Sequence, residues 1–295
     1  MNIRRNIFLV LAAAMLLASC GQDEVMTDTG HDGLVPVTLS AAVGDGVQTR
    51  AVDADNDEDA KYCYVQVCQA DGTAYTGNDY ATPITLTDED GDGKFTGNIF
   101  LKPSEDYVFL FWADNVTSNA PADLHNVEYQ KESIAFADRV EQTISSDAPT
   151  IEADLQHVVA KVTLKTKTNV ETGSEITITV PTTYTAYNVN AEDPITTDDN
   201  TPFEHTVANT ITGTEEGTEV FSFYALVKDE TQNITLTNGT NSQRVSNVPL
   251  GPNKHTTLVG DVRNLGLTDV TFTASVQTTW GSTETIKEPT LQRQN

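Results

Sequence analysis

A short acidic run is the part of this sequence whose residue types and spacing come closest to a metal-binding pattern. Asp88, Asp90, Asp92 and Gly93 stand where a calcium-binding loop has its first ligands and its glycine. Such a loop ends on a bidentate glutamate at its twelfth position, but this chain has Ile99 there. The run therefore favours a glycine-containing turn between two strands, with weak calcium binding as the alternative.

Motifs for catalysis are missing from the sequence. It has no G-x-S-x-G elbow, no H-E-x-x-H zinc motif and no glycine-rich phosphate loop. The 5 histidines lack metal-ligand spacing, and 2 tryptophans are few for a sugar-binding cleft. We therefore predict a protein that is not an enzyme and has no cofactor. A β-sandwich hydrolase is the weaker alternative, because 43 acidic residues leave room for a catalytic carboxylate pair.

The N-terminal residues have the features of a secretory signal followed by a reactive cysteine. Two arginines precede an apolar run that is shorter than the ~20 residues of a transmembrane helix. Small residues at Ala18 and Ser19 then lead to Cys20, and Leu-Ala-Ser-Cys resembles the lipobox, in which the cysteine thiol receives a diacylglycerol before cleavage. We predict a lipoprotein signal peptide over residues 1–19 and a covalent lipid on Cys20, with an ordinary signal peptide as the alternative.

The residues after Cys20 and the net charge indicate the location of the protein and argue against one class of partner. The acidic pair Asp23-Glu24 lies in a polar linker over residues 20–34 and resembles the surface-export signal of Bacteroides-type lipoproteins. That resemblance implies the outer face of the outer membrane; a plain solvated linker is the alternative. The net charge of −26 argues against nucleic acid as a partner, because phosphate binding needs clustered lysines and arginines.

The rest of the chain predicts an all-β protein. Short apolar-polar alternations rich in Thr, Val and Ile are separated by Gly, Asn, Asp and Pro clusters. Such spacing is typical of sandwiches, and we predict an N-terminal β-sandwich domain over residues 35–150 and a C-terminal one over 151–295. Residues Ala113 to Pro149 are interpreted as a long polar loop with a short helix around Glu132–Val140.

Several segments together resemble the fimbrillin family of Bacteroidales, which includes the type V pilins and the fimbrillin-like or Mfa-like lipoproteins. The resemblance is carried by the lipobox leader and by six further segments: Thr49-Arg50-Ala51, Tyr62–Asp71, Tyr107–Asp114, His157–Thr163, Phe221–Leu226 and Pro252–Leu258. It implies two tandem sandwiches of transthyretin-like topology. It also implies a lipidated precursor that a trypsin-like surface protease cuts after an arginine, and assembly by strand exchange.

The processing site and the strand to be removed can be placed on this sequence. Arg50 lies in a flexible polar segment that a protease could enter, so the resemblance makes Arg50 and Ala51 the cleavage site. Upstream, one face of an alternating strand carries Val35, Val37, Leu39, Ala41 and Val43. Its removal would open a hydrophobic groove. The alternative is a plain N-terminal strand behind a surface tether that is never cut.

The replacement strand must alternate and lie near the other chain end. Val270, Phe272, Ala274 and Val276 fit, within Val270–Trp280, although this strand could instead complete its own domain. Head-to-tail exchange is a heterologous contact that repeats into a filament. We therefore predict a structural subunit of a surface fimbria, made as a lipoprotein precursor and partnered by other subunits, for adhesion or biofilm. The alternative is a monomeric, surface-anchored lipoprotein that binds glycan or a host protein.

Overall fold

The computed structural model describes residues 33–43, 60–76, 80, 82–167, 175–195, 202–208, 217–239, 241–267, 270–278 and 286–287. The regular elements in this part of the chain are β-strands, so the all-β prediction is confirmed. The predicted signal peptide, Cys20, Arg50 and Ala51 lie outside these residues. No helix within the described ranges has the length and hydropathy that a membrane crossing requires.

The first group of strands encloses one of two apolar cores. Its strands are β1 (Val35–Val43), β2 (Tyr62–Gln69), β3 (Ile84–Leu86), β4 (Lys94–Leu101), β5 (Asp106–Asp114), β7 (Ala135–Thr143) and β8 (Thr150–His157). These seven strands form one sheet in the order β3-β2-β5-β7-β8-β1-β4. The short β6 (Val127–Glu128) lies between β5 and β7 in the chain but belongs to a different sheet. The two ends of this order meet, because Thr87 and Thr96 exchange backbone hydrogen bonds of 3.0 and 2.8 Å. The sheet therefore closes on itself and protects its edges.

The second group encloses the other core. Its strands are β9 (Ala160–Thr166), β10 (Glu175–Val180), β13 (Phe203–Ala208), β14 (Thr218–Ala225), β15 (Glu230–Asn238), β16 (Asn241–Leu250), β17 (His255–Gly260), β18 (Phe272–Gln277) and β19 (Ile286–Lys287). One sheet has the order β13-β10-β15-β16 and the other β14-β9-β17-β18-β19. In the chain, β10 and β13 are separated by β11 (Ala186–Asn188) and β12 (Asp193–Ile195), which form a small sheet with β6.

The two groups repeat one plan of strand pairing. In each group the first strand pairs in parallel with a later one, β1 with β8 and β9 with β17. Four antiparallel pairings also correspond: β1–β4, β2–β3, β2–β5 and β5–β7 match β9–β14, β10–β13, β10–β15 and β15–β16. The antiparallel pairing of β7 with β8 has no counterpart among the described strands of the second group. We call the two groups the first module and the second module. The strands β6, β11, β12, β18 and β19 are additions to this shared plan.

Two expectations from the sequence meet a different structure. The stretch around Glu132–Val140, expected to be loop with a short helix, contains most of β7, which pairs with β5 over the whole length of the strand. Ladder pairing with β5 overrides the weak local preference for helix. In addition, β8 lies between β7 and β1. The change from one module to the next therefore falls after His157, and not near residue 150 where the sequence placed the domain boundary.

Buried His157 at the end of the first module gives a prediction about pH. Its ring is 3% exposed and lies 4.3 Å from the Phe136 ring, centroid to centroid. Burial, and to a smaller extent the charge of Lys161, holds its pKa well below 6.5. Below pH 6.5 the unfolded chain therefore binds a proton at His157 that the folded chain does not bind. The contribution of His157 to the free energy of unfolding is full above pH 6.5 and is lost as the pH falls below that value.

Between pH 7.5 and 5.5 this residue is expected to lower the free energy of unfolding by about 1.4 kcal/mol. Urea unfolding at both pH values should show that drop in the wild type and lose it in His157→Phe. The control His125→Gln, which removes a half-buried histidine from the connection between β5 and β7, should keep it. An undiminished drop in His157→Phe would assign the pH dependence to other groups.

Candidate functional site

The first strand of the chain lies inside the sheet of the first module. β1 pairs in parallel with β8 over Thr38–Val43 and antiparallel with β4 over Val35–Ala42. The Thr38 N–H also donates to the Pro149 carbonyl at 3.0 Å. A strand with partners on both edges leaves two rows of unpaired backbone groups when it is absent. We call the space between β8 and β4 the β1 cleft.

The side chains of β1 fill the core of the first module. Val37, Leu39 and Ala41 are 0% exposed, and Val35 and Val43 pack partly buried against the same core. The predicted apolar face of this strand is therefore the buried one. Burying a valine or leucine side chain contributes about 1.5–3 kcal/mol, so Val37 and Leu39 together contribute roughly 3–6 kcal/mol. The whole stability of a typical domain is about 5–15 kcal/mol.

Near the other chain end, β18 lies between β17 and the two-residue strand β19 in the second module. It pairs antiparallel with β17 along its whole length, and with β19 through Ser275 and Val276. Phe272, Ala274 and Val276 are buried, while Val270 lies half-buried against the same core. In the first module the corresponding place beside β8 is taken by the start of β7, which belongs to the shared plan through its pairing with β5, so β18 is a strand beyond what the shared plan requires.

Strands β1 and β18 show the same order of large and small residues when each is compared with its antiparallel neighbour, β4 for β1 and β17 for β18. On β1, Leu39 faces Gly97 and Ala41 faces Phe95. On β18, Phe272 faces Gly260 and Ala274 faces Leu258.

In both modules a large side chain of the strand lies opposite a glycine. A Cβ added to Gly260 would overlap the Phe272 ring, so the glycine is what admits that ring. A Cβ added to Gly97 would lie 2.6 Å from Leu86 Cδ2. In both modules an alanine lies opposite a large residue two positions further along. Aligning the strands on these pairs places Val270 at Val37, Phe272 at Leu39, Ala274 at Ala41 and Val276 at Val43.

Sequence reasoning found both strands through their alternation but missed the glycines that face them. Gly97 and Gly260 lie inside strand patterns, where an isolated glycine marks a close approach of another group. That signal was present in the sequence, but only the structure shows what approaches each glycine, the Phe272 ring at Gly260 and a methyl group of Leu86 at Gly97.

The acidic run forms a turn between β3 and β4. The Asp88 carboxylate accepts hydrogen bonds from the backbone N–H groups of Gly91 (2.9 Å), Asp92 (3.2 Å) and Gly93 (3.0 Å). Oxygens of Asp88, Asp90 and Asp92 lie within 4.8 Å of one another. Ile99, at the place of the bidentate glutamate, is buried in β4. Both Asp88 oxygens are thus engaged in the turn, as the interpretation as a β-turn requires.

Removing the Asp88 carboxylate is expected to cost about 0.5–1.5 kcal/mol of unfolding free energy, because three exposed N–H groups then turn to water. The measurement is thermal or urea unfolding of Asp88→Ala. Asp90→Ala, in the same exposed run, serves as the matched control and should change stability by less than ~0.5 kcal/mol. Equal costs for the two variants would mean that the turn does not depend on Asp88.

The fold of this chain is similar to the folds of several solved bacterial proteins. A fimbrial assembly protein from Parabacteroides distasonis superposes with a TM-score of 0.51 at 12% identity, over 86% of this chain and 99% of its own. A candidate cell adhesion protein from the same species gives 0.50 at 11%, over 85% and 99%. The C-terminally truncated tip fimbrial protein Mfa3 from Porphyromonas gingivalis gives 0.48 at 13%, over 82% and 99%. At these identities the likeness describes the fold.

The chain belongs to the family DUF6562, described as a family of unknown function, whose profile matches residues 29–280. No curated protein matches the sequence. The sequence suggested the fimbrillin family, whereas the family profile that matches is that of DUF6562.

Proposed function

We propose that this protein is a structural subunit of a surface fimbria that assembles by strand exchange and performs no catalysis. The chain is exported as a lipoprotein with its lipid on Cys20, reaches the outer face of the outer membrane, and is cut after Arg50 by a trypsin-like protease. The cut frees the segment that contains β1, and a strand from another copy takes its place. The fimbria serves adhesion or biofilm formation.

The observation that carries this proposal is the position of β1. It fills a cleft in the first module with both edges paired and three side chains fully buried. It is joined to β2 only through residues 44–61, and that connection contains Arg50. The corresponding strand of the second module, β9, follows β8 after only Val158 and Val159. A cut before β2 therefore releases β1 alone.

The donor in this proposal is the segment Val270–Gln277. It belongs to a strand beyond the shared plan, and its order of large and small residues matches that of β1 against a glycine-bearing neighbour. In the β1 cleft of another copy it would run parallel to β8 and antiparallel to β4, with Phe272 opposite Gly97. Backbone pairing supplies affinity, and the glycine position fixes the register.

Each module is, in this proposal, a β-sandwich of transthyretin-like topology. The support is the repeated pairing plan together with two separate apolar cores. A donor in the second module and an acceptor cleft in the first give each copy two unlike ends. Copies then add head to tail and form an open filament. The solved fimbrial assembly protein with a similar fold is consistent with this role.

The experiment is digestion of the purified precursor with a trypsin-like protease, followed by SDS gels of unboiled samples. The proposal predicts a ladder of SDS-resistant oligomers and an N-terminus at Ala51. Arg50→Gln, the matched control, should stay uncut at this site and monomeric. A cut chain that never forms a ladder would favour the monomeric surface-anchored lipoprotein, binding glycan or a host protein, over the fimbrial subunit.

A further inference from the structure

Three of the additions to the shared plan, β6, β11 and β12, lie where the two modules meet. The connection between β5 and β7 in the first module contains β6, and the connection between β10 and β13 in the second contains β11 and β12. β6 and β11 pair with each other, through Glu128 with Ala186 and Val127 with Tyr187. We call residues 184–195 of the second module the strap.

The strap is built into the core of the first module. Tyr187 is 6% exposed and Val189 is 0% exposed, and both belong to the first core. The Tyr187 ring lies 5.9 Å from the ring of Trp112 on β5, centroid to centroid. The Val189 N–H donates to the Leu124 carbonyl at 3.0 Å, which joins the strap to the connection between β5 and β7.

Both ends of the strap are held by the second module. The Tyr184 N–H donates to the Leu226 carbonyl at 2.9 Å, and the Lys228 ammonium lies 2.6 Å from the Asp193 carboxylate. A second cross-connection runs the other way, because Lys131 of the first module donates to the Glu204 carbonyl of β13 at 2.7 Å. The strap therefore ties the two modules together through strand pairing with β6, packing in the first core and hydrogen bonds to the second module.

The strap and β1 hold different strands of the first module. β1 pairs with β8 and β4, whereas the strap pairs with β6 and packs on β5 through Trp112. Loss of β1 removes roughly 3–6 kcal/mol of burial, which is comparable with the stability of a small domain. An emptied module needs a source of stability that does not pass through β1, and the buried residues of the strap are such a source.

We propose that the strap keeps the first module folded while its β1 cleft is empty. This inference rests on the proposed function, since only an exchanging subunit passes through an emptied state. Through the strap, the second module thus stabilises the acceptor module of its own chain. The strap holds β5 and the β5–β7 connection in place until a donor strand binds in the β1 cleft.

The test uses the full chain with a site-specific protease sequence inserted between residues 44 and 59, so that it does not depend on natural cleavage at Arg50. After cutting, the β1 fragment is removed by chromatography in dilute urea. Hydrogen exchange of the β5 amides is then measured in the wild type and in Tyr187→Ala. The control Ile178→Ala loses a fully buried side chain of the second core and leaves the strap intact.

The stripped wild type and stripped Ile178→Ala are expected to keep slow exchange in β5. Stripped Tyr187→Ala should exchange there roughly 100-fold faster or more, while uncut Tyr187→Ala stays protected by β1. Fast β5 exchange in the stripped wild type would overturn the inference, and so would equal exchange in the stripped wild type and stripped Tyr187→Ala. Failure of the fimbrial proposal would show instead as a missing ladder after cleavage at Arg50.

Discussion

Leu39→Ala is expected to lower the free energy of unfolding by about 3–5 kcal/mol, the upper part of the range for buried leucine. Leu39 is 0% exposed and faces Gly97, which has no side chain to move into the vacated space. The cavity therefore persists, and its cost adds to the lost burial. The measurement is urea unfolding followed by the fluorescence of Trp112, which is buried in the same core.

The matched control for Leu39→Ala is its neighbour Thr38→Ala. Thr38 is exposed on the same strand, and its hydroxyl donates only to the exposed side chain of Asn98 at 3.1 Å. We expect this variant to cost less than ~1 kcal/mol. If both variants cost the same, β1 does not stabilise the first module through its buried face.

The two facing glycines are expected to affect assembly in opposite directions. In Gly260→Ala the new methyl group overlaps the Phe272 ring, which costs the docked form of β18 about 1–3 kcal/mol. The undocked donor then becomes roughly 5- to 150-fold more abundant. After cleavage at Arg50, this variant should therefore form oligomers faster than the wild type.

Gly97→Ala changes the acceptor instead of the donor. The uncut chain should tolerate it, because the Cβ meets only the flexible end of Leu86. In the β1 cleft of a cut chain, however, position 97 must face the larger Phe272 of the incoming strand, so oligomers should form more slowly. The measurement is the time course of the SDS-resistant ladder for the two variants. Equal rates, or the reverse order, would exclude the proposed register.

Local pattern was enough to predict the parts of the fold in which neighbouring residues alternate or are uniformly apolar. Val35–Val43 alternates and has one buried face, and Tyr107–Trp112 is apolar on both faces and lies within β5, between β2 and β7. The turn at Asn238-Gly239 was also predicted, and it joins β15 to β16 with a positive φ of 60° at the glycine. In these segments burial and backbone conformation follow from residues close in sequence.

The rest depends on contacts between residues far apart in the chain. β7 has no clear alternation of its own, and its partners β5 and β8 decide its structure. The strap contains Tyr187 and Val189 in a polar stretch, and nothing local shows that they enter a core more than 50 residues away (Tyr187 meets Trp112). The match between β1 and β18 likewise appears only when the residues that face each strand are known.

A disulfide between two copies tests the central claim most directly. In the proposed register Thr271 takes the place of Thr38 and faces Asn98, and all three positions are exposed. One chain carries Asn98→Cys and the other Thr271→Cys, both with Cys20→Ser. The native Cys63 and Cys68 are buried, and burial raises the pKa of the Cys68 thiol to about 12, so neither competes.

The two chains are cut after Arg50, mixed and oxidised. We predict a disulfide-linked pair that carries one chain of each kind, and none from uncut chains. Ser275→Cys in place of Thr271→Cys lies about 13 Å out of register, beyond the reach of a disulfide, and should give none. No disulfide with Thr271→Cys in a sample that forms the ladder, or one with Ser275→Cys, would contradict the replacement of β1 by β18.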